Sequence, residues 1–168
     1  GALRGIVGPV SSLIKTENRY STAVEIALGA AIQNIVVQDE GAAKRAIALL
    51  KERGTGRATF LPLTNLKASP VRESDLAARG GYVGLASELV LCDDRYRVVM
   101  DSLLGRTIVA EDIDAATAIA KAYSYRYRVV TLDGQVVNAG GSLTGGSVNK
   151  NASIPVSYTH LRAHETVL

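Results

Sequence analysis

Several kinds of chemistry are missing from this 168-residue sequence before any pattern is sought. A single cysteine, Cys92, excludes an internal disulfide, and with no histidine near it in sequence it reads as a small buried hydrophobe rather than a nucleophile. The only histidines, His160 and His164, have the spacing of two metal ligands on a helix, but no third ligand accompanies them, so no metal site is expected. No apolar run approaches the roughly 20 residues that span a bilayer. The N-terminus lacks the charged-then-apolar order of a secretory signal, so a cytoplasmic protein is expected. No GxxxxGK[ST] segment is present, which leaves no ATP-binding phosphate loop to assign. Dense basic runs are absent too. The 19 Lys and Arg residues against 16 Asp and Glu give a net charge of +3, which permits contact with nucleic acid without requiring it.

What the chain does contain is ordinary globular material, 47% hydrophobic and 21% charged, at a length suited to one domain or two small subdomains. A diverged internal repeat organises it. Asn18-Arg19-Tyr20 precedes Leu28-Gly29 as Asp94-Arg95-Tyr96 precedes Leu104-Gly105, with nine residues from tyrosine to glycine in both. A short β-branched run follows each glycine, Ile35-Val36-Val37 and then Thr107-Ile108-Val109. Alanine-rich helical patterns come next. Ala43, Ala46, Ile47 and Leu50 form one stripe within Gly41 to Arg53, and Ala116, Ile119, Ala120 and Tyr123 form the other within Ile113 to Tyr125.

An earlier helix is expected over Thr22 to Ile32, and strands over Arg57 to Leu61 and Tyr127 to Leu132. Asp39, and Asp112 or Asp114, are placed to cap the alanine-rich helices, and Gly54 to end the first. The pattern predicts an α/β fold of mixed α+β type: two related helix-strand-helix-strand subdomains with small mixed sheets. Subdomain one covers about 1–66, a breaker-rich linker about 67–81 and subdomain two about 82–154.

The segment from Val129 to Ser147, VVTLDGQVVNAGGSLTGGS, is the most unusual. Asp133-Gly134 between two apolar runs predicts a hairpin, and its second strand, Gln135 to Asn138, is a candidate sheet edge. The doublets Gly140-Gly141 and Gly145-Gly146 then suit positive φ or a close main-chain approach, and with no catalytic residue nearby they suggest a surface for backbone contact.

The chain resembles the hinge domain of bacterial SMC (structural maintenance of chromosomes) proteins, which end in a strand followed by GGSxTGG. Further matching segments are Gly5 to Val10, Tyr20 to Gly29, Gly56 to Leu63, Leu85 to Val90 and Tyr125 to Leu132, in the family order over residues 1–154. The resemblance implies a doughnut-like homodimer that joins two coiled-coil arms of a chromosome-organising ATPase, acting in chromosome condensation and segregation in the cytoplasm and nucleoid. It places Gly140, Gly141, Gly145 and Gly146 at the subunit contact. It also implies weak, sequence-independent DNA contact, for which Lys51 and Lys150 are the chosen residues. The hinge itself would be non-catalytic and cofactor-free, with ATP, magnesium and kleisin-type partners at head domains absent from this sequence.

Two departures from the family stand out: Ala139 stands where proline is common, which loosens the turn but leaves the glycines in place, and residues 155–168 lack a heptad and read as a foreign extension outside the fold. From the residues alone an alternative stays open, a small-molecule or anion-binding α/β domain using the Gly140 to Gly146 loop. Against it, no lysine follows the glycines in the position that would reach a phosphate, and no helix is evident right after them. Tyr123, Tyr125 and Tyr127 alternate with Arg126 and Arg128 in a way that could stack bases, though a helix end entering a half-buried strand explains them better. Asp93-Asp94 and Glu111-Asp112 read as caps or solvated loops.

Overall fold

The computed structural model describes residues 4–148 and Ile154. Its first repeat runs β1 (Ile6–Pro9), α1 (Val10–Leu13), β2 (Ile14–Thr16), α2 (Asn18–Leu28), β3 (Ile35–Val37), α3 (Glu40–Arg53) and β4 (Phe60–Pro62). The second runs β5 (Tyr82–Leu85), a 3-10 turn at Ala86–Leu89, β6 (Val90–Cys92), α4 (Arg97–Leu104), β7 (Thr107–Ala110), α5 (Ile113–Ala122) and β8 (Arg128–Thr131). Each copy therefore begins with a strand, a short turn and a second strand that the helix-strand-helix-strand pattern did not contain. The mixed sheets are as expected: β1 is antiparallel to β3 and β3 parallel to β4, matched by β5 antiparallel to β7 and β7 parallel to β8.

The copies meet through their second strands. β2 pairs antiparallel with its own counterpart β6, Ile14 opposite Cys92, Lys15 opposite Leu91 and Thr16 opposite Val90. The displacement that carries Tyr20 onto Tyr96 also carries Lys15 onto Leu91, so this ladder is centred on an internal pseudo-two-fold axis. Ile14, Thr16 and Val90 are buried beneath it, the Thr16 hydroxyl donating to the Leu89 carbonyl at 2.8 Å. Cys92 is half-buried rather than fully buried, since it ends the ladder beside Arg97, whose Nη1 lies 3.8 Å from Sγ. Burial pushes its thiol above the usual range, against the lowering effect of Arg97.

Alternation along the central strands builds two cores. Val109 and Val130 join Val24, Leu28, Val36, Val99, Met100 and Leu104 in one cluster drawn from both repeats, while Ile108 and Val129 turn to the other side to meet Ala116, Ile119 and Ala120 of α5. Across the first core, Arg128 on β8 donates to the Ala27 and Ile26 carbonyls at 2.9 and 3.0 Å. A cation thus closes the C-terminal end of α2, where free carbonyls and the helix dipole favour positive charge. Asp39 and Asp112 cap α3 and α5 as expected, accepting from Ala42 N and Ala115 N at 2.9 and 2.8 Å, and Gly54 ends α3 in the left-handed region.

Several element expectations change. α2 starts at Asn18 and stops at Leu28, because Asn18-Arg19-Tyr20 supplies its polar first turn and a 3-10 segment, Gly29–Gln33, takes over at the glycine. α3 buries Ala42, Ala43 and Ala46 but leaves Ile47 52% exposed, so the apolar stripe runs out over ground the chain does not cover. β4 begins only at Phe60, and residues 55–59 before it are exposed and irregular. α5 ends at Ala122 because Ser124 and Tyr125 turn left-handed, with φ of 56° and 58°.

Residues 67–81 do not hang free. Val71 and Leu76 are buried with the second core, and two carboxylates pin the segment. Asp75 accepts from the Tyr123 hydroxyl at 2.7 Å and pairs with Arg79 at 2.7 Å; Glu73 accepts from the Tyr127 hydroxyl and pairs with Arg126 at 3.1 Å. The hydrogen bond from Tyr123 holds the Asp75 carboxyl below its ordinary value. A carboxylate with a lowered folded-state pKa contributes stability above the unfolded value of about 4 and loses it as pH falls through the folded value. Asp75→Asn is therefore expected to flatten the decline in urea-unfolding stability between pH 5 and pH 3; an unchanged slope would remove Asp75 from the acid response.

Candidate self-association edge

After β8 the second sheet continues where the first stops. Thr131 N donates to Gln135 O at 2.8 Å and Gly134 N to Thr131 O at 3.0 Å, forming the expected Asp133-Gly134 hairpin into β9 (Val136–Val137). β9 is not the edge. The glycine segment folds back as β10 (Leu143–Thr144), Leu143 opposite Val137 and Thr144 opposite Val136, giving the sheet order β10-β9-β8-β7-β5. The exposed edge is thus made by the glycine motif itself, with Leu143 62% exposed. Among the described residues, β10 ends this sheet on the side beyond β8, and β4 ends the first sheet on the corresponding side of its order β1-β3-β4; β5 and β1 stand at the opposite ends.

The four glycines are fixed by this chain's own geometry. Gly141 N donates to Asn138 O at 2.9 Å with Gly140 at φ +92°, the pattern of a type II turn over residues 138–141 that calls for glycine at its third position. Gly141 and Gly146 also have positive φ, +107° and +129°. Gly145 does not; there an added Cβ would meet Gln135 Oε1. Three residues that spacing could not single out hold the segment. The Tyr125 carbonyl accepts from Gly140 N at 2.8 Å and its ring lies where a Cβ on Gly141 would make contact at 3.6 Å. Asn138 Nδ2 donates to Ser142 Oγ and Thr144 Oγ1 at 3.1 and 3.0 Å. Gln135 accepts from Gly146 N at 2.7 Å and donates to Gly146 O at 3.0 Å.

This geometry argues against an anion loop. The amides of Gly140, Gly141 and Gly146 are spent on Tyr125, Asn138 and Gln135. The adjoining cleft of about 320 Å³ is lined by Glu25, Ile26, Gly134 and residues 144–148, with no cation among them. Base stacking by the tyrosines is also poorly served: Tyr123 and Tyr127 are buried, and Tyr125 alone of the three is exposed. Asp93 caps the 3-10 turn that follows it, accepting from Arg95 N at 2.9 Å. Among the described residues no cluster of His, Cys, Asp and Glu could hold a metal ion, and no helix is long and apolar enough to cross a membrane.

Lys51 is exposed in the last turn of α3, at a groove of about 430 Å³ lined also by Ile47, Leu50, Gly56, Arg57 and Ala58. It therefore lies beside the approach to β4, away from the glycine segment. Lys150, both histidines and the extension 155–168 lie outside the described residues. Ala139 occupies the second position of the type II turn, a position whose ideal φ of about −60° suits proline. Ala139→Pro is expected to raise stability by about 0.5–1 kcal/mol, measured by urea unfolding; a loss would contradict the turn assignment.

Residues 3–120 match the family described as the SMC proteins flexible hinge domain. The chromosome partition protein Smc of Bacillus subtilis is 50% identical over 151 residues, 88% of this chain and 13% of that protein. Its counterpart in Desulfitobacterium hafniense is 45% identical over 149 residues, 88% of this chain and 12% of that protein. The chain thus spans about an eighth of the length of these relatives. Among solved structures, the asymmetric dimer of the Geobacillus stearothermophilus SMC hinge domain superposes with a TM-score of 0.85 at 46% identity, over 98% of this chain and 66% of that one. The Pyrococcus furiosus SMC protein hinge domain gives 0.70 at 33% identity, over 89% of this chain and 80% of that one. A repeated strand-helix framework, a glycine-built sheet edge and these likenesses lead to one statement: this chain belongs to the SMC hinge domain family.

Proposed function

We propose that this chain is the homodimerisation hinge of a chromosome partition Smc protein, and that two copies join edge to edge, β10 of each adding to β4 of the other. One observation carries the reading, the unequal ending of two otherwise equivalent sheets. β8 is followed outward by β9 and β10, whereas β4, its counterpart, has no strand beyond it among the described residues. A strand from a second copy would take at β4 the place that β9 takes at β8. Unpaired main-chain groups on both edges favour such pairing, and exposed Leu143 and Ile47 supply apolar area beside β10 and β4. Under two-fold symmetry the contact forms twice and closes a ring. The likeness to a hinge described as a dimer supports it.

In this reading Gly140, Gly141, Gly145 and Gly146 shape the contact, and the halves at about 1–66 and 82–154 each bring one edge to it. The dimer joins two coiled-coil arms of a protein that acts in chromosome condensation and segregation, in the cytoplasm at the nucleoid. The hinge performs no catalysis and takes no cofactor; ATP, magnesium and kleisin-type partners belong to head domains. Leu143→Glu and Ile47→Glu, each on an exposed side chain, are expected to weaken the dimer roughly a hundredfold, read by sedimentation equilibrium. Mixing the two variants should restore dimers through the one contact that retains both wild-type surfaces. Undiminished dimers in both variants would refute the edge assignment.

DNA contact is the second part of the proposal, supported by exposed Lys51 beside Arg57 and by the net positive charge. Combined Lys51→Ala and Lys150→Ala is expected to reduce DNA retardation at low salt, with an effect that fades as salt rises. The mass of the dimer should be unchanged. Retardation equal to that of the unaltered chain would take these lysines out of the DNA surface.

A further inference from the structure

The register of the last two strands leaves one residue pair unaccounted for. With Leu143 opposite Val137 and Thr144 opposite Val136, the next pair in the ladder is Gly145 opposite Gln135, yet β10 stops at Thr144. The side chain of Gln135 stands where the ladder would have continued. Its carboxamide folds over Gly145 and engages Gly146 on both main-chain groups, accepting from N at 2.7 Å and donating to O at 3.0 Å. The Gln135 main chain stays with the hairpin, its N donating to Thr131 Oγ1 at 2.9 Å and its O accepting from Thr131 N at 2.8 Å. One residue thus closes the hairpin into β9 with its main chain and imitates a strand with its side chain.

Two consequences follow from this crossing. The chain leaves the sheet at Gly145 and turns over the hairpin, where Val148 Cγ2 lies 2.7 Å from the position a Cβ on Gly134 would take. The exposed edge is therefore cut to Leu143 and Thr144, with a fixed exit. At Gly145, which alone of the four motif glycines lacks positive φ, an added Cβ would fall on Gln135 Oε1, so any larger residue there would push the carboxamide aside.

The geometry points to Gln135 as the positioning residue of the self-association edge: its carboxamide sets where β10 ends and keeps that place only while residue 145 lacks a Cβ. This rests on the reading of β10 as a dimer contact, and it separates two reasons for Gly145. A partner's main chain would need the glycine whatever stands at 135; Gln135 needs it only while its own side chain is present.

The test uses the whole chain with Gln135→Ala, Gly145→Ala and both together. Dimer dissociation constants come from sedimentation equilibrium, exchange of the Gly146 amide hydrogen from NMR, and folding from circular dichroism. Loss of the paired hydrogen bonds in Gln135→Ala is expected to weaken the dimer about tenfold and to speed Gly146 exchange by a similar factor, with the spectrum unchanged. Gly145→Ala should weaken the dimer at least as much by displacing the carboxamide, and the double variant should be no weaker than Gln135→Ala. Full multiplication of the two single effects, or a Gln135→Ala dimer within twofold of wild type, would overturn the assignment. Should Gly145→Ala not fold, the dissociation constant and exchange rate of Gln135→Ala decide the matter. If the unaltered chain never self-associates, the dimer reading fails separately, and Gly146 exchange alone judges Gln135: unchanged exchange refutes it and faster exchange upholds it.

Discussion

Main-chain hydrogen bonding at the ends of sheets is the constraint on which this molecule turns. Every strand inside a sheet satisfies its N–H and C=O groups on both sides, but the outermost strand leaves a row of them to be covered or used. Here the two repeats meet that demand differently. The second continues through a hairpin and a glycine-built strand; the first stops at β4 with an exposed, irregular approach over residues 55–59. The incomplete apolar stripe of α3, with Ile47 lying outside the core, belongs to the same unfinished edge.

The rest of the fold holds these two edges in fixed relation. The β2–β6 ladder joins the repeats about their pseudo-two-fold axis, the larger core draws side chains from both, and Arg128 ties β8 to the end of α2. The connector adds a third tie, because Tyr123 and Tyr127 bury their rings beneath it and give their hydroxyls to Asp75 and Glu73. Both edges are therefore carried on one packed body.

The glycine segment shows how a flexible composition can become a defined surface. Tyr125 pays for a left-handed backbone by offering its carbonyl to Gly140, Asn138 gathers Ser142 and Thr144, and Gln135 replaces a missing strand residue. Glycine supplies permissive φ and open space; the neighbouring polar side chains choose one conformation from what glycine permits. The same choice withdraws three glycine amides from any anion.

The sequence by itself determined the repeat, the helix caps at Asp39 and Asp112, the central apolar strands and the Asp133-Gly134 hairpin, because each rests on contacts within a few residues or on periodicity. The family resemblance was legible for the same reason, since its motifs are short and ordered. Tertiary structure alone decided that β10 rather than β9 forms the edge, that β2 meets β6 across the pseudo-axis, and that Gln135 lies over Gly145. Short strands of two to four residues carry too little periodicity to announce themselves. A glycine likewise does not reveal whether it serves φ, a neighbouring side chain or another molecule until the surrounding atoms are in place.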